Sequence, residues 1–151
     1  MAEYVLTRLD LVHVTDKLTM LETTFVEPLA SIVEMTEMAP IPPGSFVAVM
    51  GIGTVGLLAL QIIRLYNPRL LVAVARPGSP KASLARRLGA DMVLTYEEAI
   101  EVAKKETPEG QGFDYVVEAT GSSQGLDMAI SIVRPRGIVA AKSTHGAPTT
   151  F

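Results

Sequence analysis

Short apolar runs of strand length, separated by helical segments of about ten residues, restrict this chain to very few folds. Phe46 to Met50 (FVAVM) and Leu70 to Ala75 (LLVAVA) are unbroken apolar runs, the pattern of strands covered on both faces. Met92 to Leu94, Asp114 to Val117 and Gly137 to Ala141 read as further strands. Thr54 to Tyr66 reads as a helix stopped by Asn67-Pro68. A second helix has Ser79 and Pro80 at its N-cap and first turn and Gly89 at its C-terminus. Thr95, with Glu98 three residues on, forms a capping box that opens a helix through Lys105, and Gln124 to Val133 is the last helix. Parallel strands need crossovers of this length, so the alternation predicts an α/β fold. The expected sheet is parallel, with about five strands in the order 3-2-1-4-5 and helices on both faces.

The first forty residues have a different texture. AEYVLTR and LVHV are β-prone runs around Leu9-Asp10, and KLTMLETTFVEPLASIVEMTEM spaces its apolar residues helically on both sides of Pro28. Residues 1–40 are therefore expected to form a β-ribbon and a helical segment, and APIPPG (Ala39 to Gly44) to hand over to the main unit at 41–151. The chain has 151 residues, enough for one domain with a full core. Its formal net charge of −3 offers nucleic acid no general attraction. The absence of Cys removes disulfides, thiolate catalysis and Cys-ligated zinc, and two His leave little for a metal site. No stretch reads as a signal peptide or a membrane span, so a soluble, cytoplasmic protein is expected.

Gly51-Ile52-Gly53-Thr54-Val55-Gly56 follows the first strand and opens a helix, fitting the G-x-G-x-x-G pattern of Rossmann-like dinucleotide sites. One glycine permits the turn, one admits a pyrophosphate, and one lets helix and strand pack closely. About twenty residues on, an NAD site places an acidic residue at the end of the second strand. This chain has Arg76 there, and no Asp or Glu occurs from Met38 to Ala90. A guanidinium fork suits a ribose 2′-phosphate, which Ser79 or the backbone after Pro77 would also reach. NADP is thus the expected cofactor and NAD the second choice.

Several motifs together resemble the zinc-type medium-chain alcohol dehydrogenases: AEYV at Ala2 to Val5, EPLA at Glu27 to Ala30, GIGTVGLLALQ at Gly51 to Gln61, ARRLGAD at Ala85 to Asp91, and VVEATG at Val116 to Gly121, followed by VRPRG. The resemblance implies the dinucleotide-binding portion of such an enzyme, without the half that holds zinc through Cys and His or Glu, and ending after strand five where the family continues into a sixth. It assigns Thr120 and Gly121 to a loop against the cofactor. Glu118 is expected to pair with a basic neighbour, because a carboxylate would repel the pyrophosphate. Glu27, whose position in some sorbitol dehydrogenase-type relatives serves zinc or its water, is expected to be a helix-terminal carboxylate. His145, near the family's nicotinamide position, is expected to be a solvated loop residue, and His13 has no assigned role.

No catalytic residue and no zinc are expected within the chain, nor any nucleic acid or membrane partner. A second copy is the expected protein partner, joined through the edge of strand five or the N-terminal ribbon, and a separate catalytic chain is a further candidate. Two functions stand open: the NADP(H)-binding portion of an oxidoreductase, or a dinucleotide-binding module, sensor or remnant without turnover.

Overall fold

The computed structural model describes residues 3–144. Its sheet comprises β1 (Phe46–Met50), β2 (Leu70–Val74), β3 (Met92–Leu94), β4 (Phe113–Glu118) and β5 (Val133–Ala141), all parallel, in the order β3-β2-β1-β4-β5. The helices are α1 (Met20–Thr23), α2 (Val26–Met38), α3 (Thr54–Arg64), α4 (Ala82–Arg87), α5 (Tyr96–Glu106) and α6 (Gly125–Ile132). The fold is α/β and Rossmann-like, as the alternation of apolar runs requires.

Strand periodicity divides the core into two layers. Val47, Val49, Leu71, Ala73, Tyr115 and Val117 face one side, where Leu60 and Ile63 of α3, Ile32 and Met35 of α2, and Ala85 of α4 cover them. Ala48, Met50, Val72, Val74 and Val116 face the other, under Ala99 and Ala103 of α5 and Ala129 and Ile132 of α6. Both faces of β1 are thus buried, which is why its sequence does not alternate. The Tyr66 hydroxyl donates to Thr36 Oγ1 at 3.0 Å, fastening α2 to the end of α3.

Two carboxylates tie strands together at the sheet's N-terminal edge. Asp114 Oδ2 accepts the Phe46 amide at 2.7 Å, and its Oδ1 accepts Arg134 Nε at 2.6 Å, joining β1, β4 and β5. Asp91 Oδ2 likewise accepts the Leu71 amide at 2.7 Å while Oδ1 pairs with Arg64 at 2.7 Å.

Three expectations need correction. No ribbon forms at the N-terminus: the described residues before α1 hold only a 3-10 turn at Leu9–Leu11, and Tyr4, Leu6 and Val14 are almost fully exposed. Two short strands are marginal without a surface to lie on, and none is offered here. The fourth helix begins at Ala82 rather than at Ser79, with Lys81 at its N-cap and no side-chain cap. A turn intervenes, with Gly78 at φ +70 and the Ser79 amide donating to Arg76 O at 3.2 Å, and it consumes the residues expected to start the helix. Strand five begins earlier than Gly137: Val133 pairs with Phe113, then Arg134 to Gly137 bulge out before Ile138 pairs with Tyr115. Pro135 cannot donate to the ladder and Arg136 sits at φ +63, so VRPRG makes the detour.

No helix among the described residues is long and apolar enough to cross a membrane.

Candidate functional site

At the C-terminal ends of the strands the chain reverses direction across the sheet, running from β1 outward to β3 and then crossing back to β4. In open parallel sheets a crevice opens at such a switch point. Here it is a cleft of about 650 Å³, floored by the turns that follow β1, β2 and β4. Those turns are bonded to one another through the strand ends: the Gly51 amide donates to Val74 O and the Ala119 amide to Met50 O, both at 2.9 Å.

The three glycines behave differently. Gly51 adopts φ +89, and a Cβ there would lie 2.5 Å from Ala119 O, so turn geometry and crowding both exclude a side chain. At Gly56 a Cβ would lie 1.8 Å from Gly51 O, so the turn and α3 could not close on each other. Gly53, the N-cap of α3, has an ordinary φ of −74, and a Cβ on it would touch no protein atom within 4 Å. Space is therefore left over the helix start that no part of the described protein fills. No side chain caps α3, so the amides of Thr54, Val55 and Gly56 have no intrahelical acceptor. Uncapped amides, the positive end of the helix dipole and open space over Gly53 fit a pyrophosphate.

Gly51, Ile52, Gly53, Arg76, Pro77, Ser79 and Thr120 all line this one cleft. Thr54, Val55 and Gly56 lie just behind, in the first turn of α3, and Gly121 follows the Thr120 rim; none of these four is on the cleft wall. Arg76 is exposed and has no ion-pair partner among the described residues, whereas Arg64, from the same basic stretch, is held by Asp91 and Gly89 O. Lys81 joins Arg76 on the wall. Tyr96 and Glu97 of α5 and Met128 of α6 line it too. Residue patterns gave no warning of these three, because their strand-remote positions reach the cleft only through the packing of α5 and α6. Glu97, outside the carboxylate-free stretch from Met38 to Ala90, brings a carboxylate to this wall.

Among the described residues no basic side chain pairs with Glu118, contrary to expectation. It is 2% exposed, and its Oε1 accepts the Thr120 amide at 2.8 Å, the Thr120 hydroxyl at 2.6 Å and the Ser143 hydroxyl at 2.9 Å. Neutral donors from the turn after β4 and from Ser143 beyond β5 supply its Oε1 with hydrogen bonds in place of a cation. Thr120 thereby has its hydroxyl proton and its amide turned inward, and the Gly121 amide goes to Ser143 Oγ at 2.7 Å. The two residues of this loop that line the cleft, Ala119 and Thr120, therefore have both amides already bonded within the protein.

Among the described residues no group of three or more His, Cys, Asp or Glu is arranged to hold a metal ion. Glu27 sits in the first turn of α2, where a carboxylate favours the helix dipole, and His13 is exposed. His145 lies outside the described residues.

A doubly wound sheet with a glycine turn and an open helix start at its switch point defines the dinucleotide-binding class of α/β proteins. Residues 54–150 match the sequence profile of a family described as zinc-binding dehydrogenase, and the chain belongs to that family. It is 36% identical over 114 residues to the NADP-dependent isopropanol dehydrogenase of Clostridium beijerinckii, an alignment covering 74% of this chain and 32% of that protein. Among solved structures, it resembles the apo zinc-dependent alcohol dehydrogenase 2 from Streptococcus pneumonia with a TM-score of 0.79, at 29% identity over 93% of this chain and 41% of that one. A zinc-binding dehydrogenase from Sinorhizobium meliloti 1021, solved bound to NADP, superposes with a TM-score of 0.73 at 26% identity, covering 84% of this chain and 38% of that one. The chain thus spans roughly a third to two fifths of the length of these relatives. In sequence and fold it is alcohol dehydrogenase-like.

Proposed function

We propose that the chain is the NADP(H)-binding portion of an alcohol dehydrogenase-like oxidoreductase, completed by a catalytic unit that these residues do not supply. The observation that carries the cofactor choice is Arg76: an exposed guanidinium at the end of β2, on the wall of the cleft and without an ion-pair partner among the described residues. In this reading, the 2′-phosphate lies against Arg76, Ser79 and the Pro77 turn, and the pyrophosphate lies over Gly53 and the open amides of α3. The dinucleotide supplies a hydride donor or acceptor. The chain's own residues bind it, orient it and shield its inner face with Met50, Ile52 and Met128. Thr120 lines the far end of the cleft, and Gly121 makes the turn behind it.

Charge-assisted hydrogen bonds from Arg76 should contribute about 1.5–3 kcal/mol, roughly ten- to a hundredfold in affinity for NADP over NAD. The preference should shrink as salt rises, because Arg76 is exposed. Arg76→Asp should reverse it by removing the attraction and supplying a carboxylate for the ribose diol. Titrating both cofactors against wild type and variant tests this. Equal affinities in wild type, unchanged in the variant, would leave Arg76 a surface residue. NAD is the second reading, and Glu97 on the cleft wall favours it as an acceptor for ribose hydroxyls.

A further inference from the structure

Glu118 is more than the anchor its hydrogen bonds describe. It ends β4, is 2% exposed, and no cationic side chain pairs with it among the described residues. The donors that converge on its Oε1 organise the whole rim: the Thr120 hydroxyl goes on to accept the Ser122 amide at 3.1 Å, and the Ser143 hydroxyl accepts the Gly121 amide. The start of α6 closes on the same oxygen, and a Cβ on Gly125 would lie 2.3 Å from it. A neutral glutamine oxygen could accept the same donors. Burying a carboxylate is far more costly than burying an amide, and neutral donors and a helix dipole spread its charge without cancelling it. The negative charge itself therefore calls for a use.

Its place indicates one. With the 2′-phosphate at the end of β2 and the pyrophosphate over β1, the nicotinamide half of the dinucleotide falls toward β4, where Ala119 and Thr120 form the wall directly after Glu118. The nicotinamide ring carries a positive charge when oxidised and none when reduced. We propose that Glu118 is a positioning residue whose buried charge biases the cleft toward the oxidised cofactor. This rests on the reading of the cleft as a dinucleotide site.

The test compares the affinities of NADP+ and NADPH by calorimetry in wild type and Glu118→Gln, alongside the thermal midpoint. Glutamine keeps the acceptor oxygen, so the midpoint should stay within a few degrees, as a purely structural anchor also predicts. The ratio of the NADP+ to the NADPH dissociation constant should rise about five- to tenfold, as expected for the loss of one nearby charge in a poorly screened site. An unchanged ratio with both cofactors bound overturns the inference and leaves the cleft assignment standing. Wild type that binds neither cofactor overturns both. If Glu118→Gln does not fold, Ser143→Ala keeps the charge and removes one donor. The ratio should then move the opposite way, by about twofold, and a ratio that stays put or rises overturns the proposal.

Discussion

At the scale of single residues, the three glycines of the first turn separate what the fold needs from what a ligand needs. Gly51→Ala places a side chain at φ +89 against a backbone oxygen and should destabilise the chain by about 1–3 kcal/mol. Gly53→Ala meets no protein atom and has an ordinary backbone conformation, so its thermal midpoint should stay close to wild type, the lower entropy of the unfolded chain offsetting alanine's poorer fit at an N-cap. Its affinity for dinucleotide should nevertheless fall at least about tenfold, because the methyl group occupies the space over the helix start. A midpoint that falls as far as in Gly51→Ala, or an unaltered affinity, would show that Gly53 serves only the turn. Tyr115 is a second case. Its hydroxyl is buried with no hydrogen-bond partner among the described residues, and burial, with the neighbouring Tyr66, pushes its pKa up to about 12. The unfolded chain ionises near the ordinary tyrosine value of about 10, so it holds fewer protons than the folded chain above that pH. Stability present below pH 10 should drain away as pH rises toward 12. Tyr115→Phe should abolish that alkaline loss and raise stability at neutral pH by about 1 kcal/mol, as urea midpoints at pH 8 and pH 11 would show.

Elements were legible wherever a local signal governs them. FVAVM and LLVAV read as buried strands because both their faces are covered, and Thr95 with Glu98 marked the start of α5 because the capping box is complete, each partner bonding the other's backbone. The start of α4 was misplaced because a serine and a proline signal a turn as readily as a helix, and the Gly78 turn took them. The ribbon failed because strand propensity cannot stand in for a pairing partner. Gly51, Ile52, Gly53, Arg76, Pro77, Ser79 and Thr120, read from local motifs, line the cleft, while Thr54, Val55, Gly56 and Gly121 lie off its wall; Tyr96, Glu97 and Met128 depend on how helices pack across the sheet, which no short window of sequence encodes. The same distant packing makes Asp114 an element-scale device: it supplies an acceptor to β1 and a charge to the start of β5. Asp114→Ala should leave the Phe46 amide without its acceptor and cost about 2 kcal/mol, most of it from that amide because the Arg134 pair is partly exposed. Chemical denaturation of Asp114→Ala and Arg134→Ala measures the division; an equal loss in both would assign the effect to the ion pair.

At the scale of the whole molecule, the described residues expose a run of large apolar side chains in the N-terminal segment. Tyr4, Leu6, Leu9, Val14, Met20 and Leu21 are largely exposed, and β5 is an edge strand with Ile138 partly open. The isolated 151-residue chain should therefore self-associate at micromolar concentration, and sedimentation should show species heavier than 16.1 kDa. Deleting residues 1–19 distinguishes the surfaces: a shortened chain that becomes monomeric would locate the contact in the N-terminal segment, and one that still associates would point to β5. Sheet order also governs how fast such a chain can assemble. β1 pairs with β2 after a short excursion, but its bond to β4 joins Phe46 to Asp114 across 68 positions. Closing that long span costs entropy before any of the second half can reward it. The strands up to β3 can collapse early on local crossovers, while the rim that completes the cleft forms only when β4 arrives. Recovery of dinucleotide binding after dilution from denaturant should accordingly lag behind the return of helical circular dichroism.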